Sequence, residues 1–140
     1  MPAPFTHRFR VRYAEVDPQS VVFNSRYLEY ADLMITEYWR SIDLHFSGED
    51  ALEFHVVKAT VEFVQPIRAD EEIDGTAVTS RIGTSSVTTE IELYGLNDKE
   101  RGEDDLRAKI ELVHVHVDLD SGKPTPIPEG ARAKLAGDTD

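Results

Sequence analysis

The chain has 140 residues, of which 15 are basic and 27 acidic, so its formal net charge is −12. This charge argues against a nucleic-acid partner, and the length predicts one domain over residues 1–140. The absence of cysteine excludes disulfides, thiolate metal ligands and a cysteine nucleophile. Since no segment resembles a signal peptide or a membrane span, we expect a cytoplasmic protein with no membrane association.

Alternation of apolar and polar residues over 5–13 predicts a first strand. Over residues 26–43 the spacing becomes helical and predicts a long amphipathic helix, whose apolar face carries Tyr27, Leu28, Ala31, Met34, Ile35, Tyr38, Trp39 and Ile42. Tyr30, Leu33 and Glu37 fall outside that face. We expect these three side chains to face solvent or a second subunit.

The second half of the chain is dominated by strand patterns. A loop over 44–54 leads into a strand at 56–64. Three more strands are predicted at residues 72–82, 86–95 and 107–119. Gly83 indicates a tight hairpin in the first gap, whereas the charged run 97–105 predicts an exposed loop in the second. A short helix is expected at 129–135.

This order of elements predicts an α+β fold, in which an antiparallel sheet of about five strands covers one long helix. Such a sheet keeps edge strands, so pairing with a second copy of the chain is expected. His114 and His116 occupy alternate positions of the last strand. Two histidines without a third ligand do not define a metal site, and we interpret them as core or interface residues.

Asp17 lies in the turn between the first strand and the long helix. Pro18 ends regular strand pairing, and Asn24 or Ser25 provides the helix N-cap. The first backbone N–H groups of a helix have no partner within the helix. The sequence therefore predicts a carboxylate and a group of N–H donors on opposite sides of one short loop. From the residues alone, a structural turn is the simpler interpretation of Asp17.

The element order and the residues around Asp17 resemble the hotdog-fold acyl-CoA thioesterases, specifically the 4-hydroxybenzoyl-CoA thioesterase-like group. The resemblance covers nearly the whole chain. It is carried by Tyr-Ala-Glu-Val-Asp at 13–17, Val-Phe-Asn-Ser-Arg-Tyr at 22–27, Gln-Pro-Ile-Arg-Ala-Asp-Glu-Glu at 65–72, Gly-Thr-Ser-Ser at 83–86 and the segment 117–128. The resemblance implies a hotdog fold, with the long helix wrapped by the sheet.

The resemblance also implies a mechanism. In that family the aspartate that matches Asp17 acts on the thioester carbonyl, either as nucleophile or by activating water. The backbone N–H that matches Asn24 holds the carbonyl oxygen, where the helix dipole favours negative charge. The family commonly has glycine where this chain has Ser20, so we expect an altered loop path or a narrower acyl pocket. Alternatively, the Ser20 hydroxyl holds a water near Asp17, although a plain turn serine is the simpler interpretation.

The remaining predicted site residues are assigned to substrate binding. They are Val22, Phe23 and Tyr27 near the loop, Glu37 on the helix, and Lys58, Arg68 and Arg81 for coenzyme A. We assign separate lysine and arginine side chains to the coenzyme A phosphates because the sequence has no phosphate-binding Gly-x-x-x-x-Gly-Lys motif. It has no Gly-x-Ser-x-Gly nucleophile elbow either. The resemblance implies no cofactor, since coenzyme A is part of the substrate.

The sequence thus predicts hydrolysis of acyl-CoA thioesters at a subunit interface of a homodimer or homotetramer. One alternative is a non-catalytic acyl-CoA-binding or regulatory module on the same fold. Another is an acyl-CoA hydratase or dehydratase, which would need a histidine near the helix. The sequence has no histidine between His7 and His45, which argues against that second alternative.

Overall fold

The structure is a computed structural model that describes residues 4–48 and 51–137. Its elements are β1 (Phe5–Arg10), a short 3-10 turn (Tyr13–Glu15), α1 (Arg26–Ser41), β2 (Phe54–Phe63), β3 (Glu72–Ile82), β4 (Ser86–Asn97), β5 (Glu100–His116) and α2 (Glu129–Ala136). The five strands form one antiparallel sheet in the order β1-β3-β4-β5-β2. This confirms the α+β class, with β1 and β2 as the two edges. Residues 49–50 of the predicted loop lie outside the described residues.

Helix α1 packs across one face of the sheet, over β1 and β3. Met34 lies directly over Gly75 of β3, and a Cβ at that position would collide with the methionine side chain. Gly75 therefore allows the helix to approach the sheet closely. Towards the end of the helix, the ring of Trp39 contacts Phe54 of β2 and His114 of β5. One long helix on a five-stranded antiparallel sheet is the hotdog architecture that the resemblance implied.

The predicted apolar face of α1 is wrong at two positions. Leu28 is 46% exposed, whereas Tyr30, which we expected to face solvent or a subunit, is only 3% exposed. Tyr30 is buried because Phe9 of β1 packs on its ring, at 4.8 Å between centroids, and because its hydroxyl reaches Glu15. Leu33 and Glu37 are half-buried. The burial of Tyr30 depends on a neighbouring segment that helical periodicity does not describe.

Two other predicted boundaries are wrong. The first strand ends at Arg10 rather than at residue 13, because Tyr13–Glu15 form a 3-10 turn. The charged run 97–105 is not an open loop: β4 and β5 continue through it and meet at a two-residue turn. Both turn residues, Asp98 and Lys99, have positive φ, at 51° and 72°. Such left-handed residues match the twist of a tight hairpin.

Strand β5 is a central strand, since it pairs with both β4 and β2. Its Leu112, His114 and His116 are buried. The Nδ1 atom of His116 lies 3.2 Å from the carbonyl oxygen of Pro126. His114 Nδ1 has no partner among the described residues. In the part of the chain that the structure describes, no group of three or more His, Cys, Asp or Glu residues is arranged to hold a metal. No described helix could span a membrane.

The buried His114 predicts a specific loss of stability in acid. Burial lowers its pKa from 6.5 to about 4, so between these pH values the unfolded chain binds a proton that the folded chain does not. The free energy of unfolding should fall by up to about 3 kcal/mol as the pH drops from 6.5 to 4. Urea unfolding across this range measures the effect. His114→Phe should remove that part of the pH dependence, whereas His55→Phe, at an exposed histidine, should retain it; equal slopes for all three proteins would contradict the prediction.

Candidate functional site

The loop between β1 and α1 is closed as a short hairpin. The N–H of Asp17 donates to the carbonyl oxygen of Val21 at 2.8 Å. The N–H of Ser20 donates to the carbonyl oxygen of Asp17 at 2.9 Å. One step outward, the N–H of Phe23 donates to the carbonyl oxygen of Glu15 at 3.2 Å. The chain then enters α1. Asp17 and the start of the helix therefore belong to the two arms of one hairpin.

The Asp17 carboxylate has one restrained oxygen and one available oxygen. Oδ1 accepts the N–H of Gln19 at 2.8 Å and that of Val21 at 3.4 Å. Oδ2 accepts no hydrogen bond from any of the described residues. The side chain is half-buried. The loop thus orients the carboxylate through Oδ1 and leaves Oδ2 for contact with a ligand.

The start of α1 provides unused backbone donors. Ser25 is the N-cap residue, and its side chain makes no capping hydrogen bond. Within residues 4–48 and 51–137, the N–H groups of Asn24 and Ser25 find no acceptor. A helix N-terminus also carries partial positive charge. These donors can therefore stabilise a negatively charged oxygen of a ligand.

A second loop, which follows β2, supports the hairpin from behind. The N–H of Val22 donates to the carbonyl oxygen of Ile67 at 2.7 Å, and Val21 pairs with Arg68. Arg107 of β5 anchors this loop: its guanidinium donates to the carbonyl oxygen of Pro66 at 2.9 Å and to the Glu71 carboxylate at 2.8 and 2.9 Å. Hydrogen bonding by Arg107 lowers the pKa of Glu71.

Sequence reasoning missed Glu15, which is only 5% exposed. Its carboxylate accepts hydrogen bonds from the Arg12 backbone at 2.8 Å, the Arg12 guanidinium at 2.9 Å and the Tyr30 hydroxyl at 3.0 Å. Burial acts to raise the pKa of Glu15, but these hydrogen bonds outweigh it and the pKa is lowered. Burial and the bond to Glu15 raise the pKa of Tyr30. Glu15 follows the alternating segment 5–13, and no local pattern signals such a role for it. The role of Arg107, on the distant strand β5, has no local signal either.

Ser20 adopts the backbone conformation that favours glycine. Its φ is 66°, in the left-handed region. A non-glycine residue pays about 1 kcal/mol for this conformation. The side chain is exposed and forms no hydrogen bond with the described residues. The loop therefore keeps a left-handed residue at the position where the resembling family commonly has glycine.

The predicted binding residues near the hairpin have different environments. Val22 is 3% exposed and Tyr27 is 3% exposed, so both belong to the core, whereas Phe23 is 53% exposed. The Tyr27 ring meets the edge of Phe63, with 4.9 Å between centroids. Of these three side chains, Phe23 is therefore the one available to a ligand without rearrangement.

Three other predicted residues lie away from Asp17 in the chain. Glu37 is about 17 Å along α1 from its first residue, and it pairs with Arg40 at 3.8 Å. Lys58 lies in the middle of β2. Arg81 lies near the end of β3, about 30 Å from the start of that strand. Arg68, by contrast, is beside the hairpin. In the described part of the chain, Lys58, Arg68 and Arg81 form no ion pair.

A cavity of about 380 Å³ opens between α1 and the β2 edge; its lining includes Asp32, Ile35, Thr36, Trp39, Phe46, Phe54, Val56 and His114. Trp39 Nε1 and His114 Nδ1 are both buried without a hydrogen-bond partner in the described residues. Buried polar groups are normally paired. Both groups belong to residues that line this aromatic cavity.

Comparison with known proteins places these features in context. The profile of the Thioesterase-like superfamily matches residues 11–135. Similar solved structures include a 1,4-dihydroxy-2-naphthoyl-CoA thioesterase from Synechocystis, with 17% identity, a TM-score of 0.84 and coverage of 99% of this chain and 100% of that one. A Thermus thermophilus thioesterase complexed with coenzyme A and zinc has 26% identity and a TM-score of 0.78, with 93% and 95% coverage. No curated protein matches the chain.

The conformation of Ser20 predicts the effect of restoring glycine. Ser20→Gly should leave the free energy of unfolding unchanged or raise it by up to about 1 kcal/mol, because relief of left-handed strain offsets the entropy of the unfolded chain. Ser80→Gly, in an exposed position of β3, gains no such relief and should lower it by about 0.5–1 kcal/mol. Urea unfolding of both variants measures the difference. Equal losses would show that Ser20 is unstrained.

Proposed function

Because this chain belongs to the thioesterase-like superfamily, and so to the thioester hydrolases, we propose that it hydrolyses acyl-CoA thioesters to a free acid and coenzyme A. Asp17 supplies the carboxylate and the backbone amide of Asn24 holds the thioester oxygen. One observation carries the proposal: an Asp17 carboxylate with Oδ2 unused lies in the same hairpin as the unused N–H groups at the start of α1.

The chemistry needs only groups at this loop. The Asp17 carboxylate either attacks the thioester carbonyl directly or takes a proton from the attacking water. In both routes the carbonyl oxygen gains negative charge, which the Asn24 N–H and the helix dipole stabilise. In the water route the carbon–sulfur bond breaks, the free acid forms, and the sulfur of coenzyme A takes the proton that Asp17 removed from water. In the direct route the carbon–sulfur bond breaks to leave an anhydride between the acyl group and Asp17, and water then hydrolyses this anhydride to the free acid. The restraint on Oδ1 keeps the carboxylate oriented in either route.

Coenzyme A is the carrier that the comparisons favour, since the similar Thermus thermophilus thioesterase was solved in complex with it. Its phosphates are anionic, and the chain itself has a net charge of −12. Arg68 is the cation beside the hairpin that has no ion pair in the described residues. We assign to it the first contact with the coenzyme A phosphates. Lys58 and Arg81 are further contacts only if a second subunit brings them close.

The β2 edge supports a site shared between two copies. Strand β2 pairs on one side alone, with β5. Its Val56, Val57 and Phe63 are each more than half exposed, at 54%, 60% and 53%, and Val64 follows at 50%. An unpaired strand with exposed apolar residues is a template for pairing with another chain. We propose that β2 pairs with its copy about a two-fold axis, in a homodimer or homotetramer.

This pairing would give the aromatic cavity a role. A two-fold axis beside β2 reverses the direction of the second α1. The cavity lies about 10–20 Å along α1, so in the pair it would face the first half of the partner's helix. We assign the acyl group of the substrate to this cavity. Its aromatic walls favour an aromatic acyl group, and the 1,4-dihydroxy-2-naphthoyl-CoA thioesterase that resembles this chain acts on one.

The two alternative functions differ from the proposed one in the residues or the products that they require. A hydratase or dehydratase needs a histidine at the loop, and no described histidine hydrogen bonds to Asp17. A non-catalytic acyl-CoA-binding module would use the same pocket without releasing thiol.

The cytoplasmic location expected from the sequence stays a prediction that fractionation of native cells would test.

Replacement of Asp17 tests the proposed function directly. Asp17→Asn keeps an acceptor for the Gln19 N–H, so fold and assembly should persist while thioester cleavage falls by about 10²–10⁴-fold. Thiol release from a panel of aromatic and aliphatic acyl-CoA esters measures the loss. Asp118→Asn is the matched control, because Asp118 also accepts the N–H two residues later, at 3.0 Å, in a remote turn. Retained turnover in Asp17→Asn would reject Asp17, and binding without thiol release by the wild type would favour the binding module.

Replacement of Val57 tests assembly at β2. Val57→Lys should convert the assembly to a smaller species in sedimentation velocity experiments, because a buried lysine in the paired edge is costly. Thr6→Lys places the same charge on β1, the opposite edge, and should leave the assembly intact. Activity should fall with the assembly if the site is shared. A wild-type monomer, or an unchanged assembly in Val57→Lys, would contradict the β2 interface.

A further inference from the structure

Glu15 has the contacts of a residue that sets the position of Asp17 and Asn24 together. We propose that Glu15 is a positioning residue for thioester hydrolysis, locked to α1 by Tyr30 and to the preceding segment by Arg12. This inference rests on the proposed function of the Asp17 loop. It concerns the geometry of the loop, since nothing in the contacts of Glu15 requires it to touch the substrate.

The backbone of Glu15 connects the two proposed reacting groups. Glu15 lies two residues before Asp17, and its carbonyl oxygen accepts the N–H of Phe23, the residue before Asn24, at 3.2 Å. This backbone hydrogen bond between Glu15 and Phe23 is therefore the outer rung of the hairpin that carries both groups. A displacement of Glu15 would move the carboxylate of Asp17 relative to the amide of Asn24.

The side chain of Glu15 fixes that rung to the helix. Oε1 accepts the Arg12 N–H at 2.8 Å and the Tyr30 hydroxyl at 3.0 Å, while Oε2 accepts the Arg12 guanidinium at 2.9 and 3.2 Å. Tyr30 is itself held by the rings of Phe9 and Tyr27, at 4.8 and 6.2 Å. The loop and α1 are thus joined by a buried carboxylate and not only by the chain that connects them.

These contacts require both carboxylate oxygens of Glu15 to accept hydrogen bonds. A glutamine at this position keeps one acceptor oxygen but turns an NH₂ group towards donors of Arg12 or Tyr30. The Arg12 guanidinium is exposed and can turn to solvent, but the NH₂ group itself would be buried without an acceptor, so the rung should loosen. Misplacement of reacting groups by about 1 Å can cost on the order of 10²-fold in rate. The loss should appear in kcat, because Glu15 positions the reacting groups and is not among the residues that we assign to coenzyme A.

The test uses two variants and a matched control in the full chain. Glu15→Gln should lower kcat by about 10²-fold and Tyr30→Phe by about 10-fold, each with KM within about twofold of the wild type. Tyr94→Phe removes an equivalent tyrosine–glutamate hydrogen bond, also 3.0 Å long, on β4, and should leave kcat unchanged. Because Tyr30→Phe loses only a hydroxyl, it keeps the test decisive if Glu15→Gln does not fold.

Amide hydrogen exchange provides a readout that is independent of turnover. In Glu15→Gln and Tyr30→Phe, the Phe23 and Val22 amides should exchange faster, while that of Gly83, at the β3–β4 hairpin, should not. Unchanged kcat, or equal acceleration at Gly83, would overturn the positioning role. If the wild type cleaves no acyl-CoA ester, the proposed function fails; selective exchange at Phe23 would then still support the link between Glu15 and the loop, and its absence would overturn the link as well.

Discussion

The close packing of α1 on β3 is the contact on which the rest of the structure depends. Met34 sits over Gly75, where no larger residue would allow the helix to lie so near the sheet. Once the helix is seated there, its first turn lies at the hairpin that leaves β1. Backbone hydrogen bonds place Asp17 and the start of α1 in one hairpin, and burial of the apolar helix face holds that hairpin at the sheet.

The candidate site combines ordered and strained elements within the ten residues from Glu15 to Asn24. Ser20 is held in a left-handed conformation, and one carboxylate oxygen of Asp17 accepts hydrogen bonds from backbone amides. Glu15 is a buried acid whose acceptors are satisfied by Arg12 and Tyr30. Strain and buried charge are costly, and they persist where the surroundings determine the conformation. Here the surroundings are α1 on one side and the loop anchored by Arg107 on the other.

One side of the molecule carries polar groups that have no partner among the described residues. The β2 edge has unpaired backbone groups and exposed valines, and the aromatic cavity beside it contains two buried polar atoms with no described partner. Both features lie on the same side of the molecule. A chain that paired with β2 would therefore lie beside the cavity. The opposite edge, β1, is polar in alternate positions and offers no equivalent surface.

Periodicity and local chemistry determined much of this protein from the sequence alone. The long helix, the strand-rich second half and the loop that carries Asp17 follow from residue spacing, because these patterns are local. Tertiary packing decided the rest. It buried Tyr30 under Phe9, joined Glu15 to the helix and placed Arg107 behind the loop through contacts between residues distant in sequence. Tertiary packing also places Arg81 far from Asp17. The direction and register of a strand are set by the strands beside it, and its own sequence does not specify those neighbours.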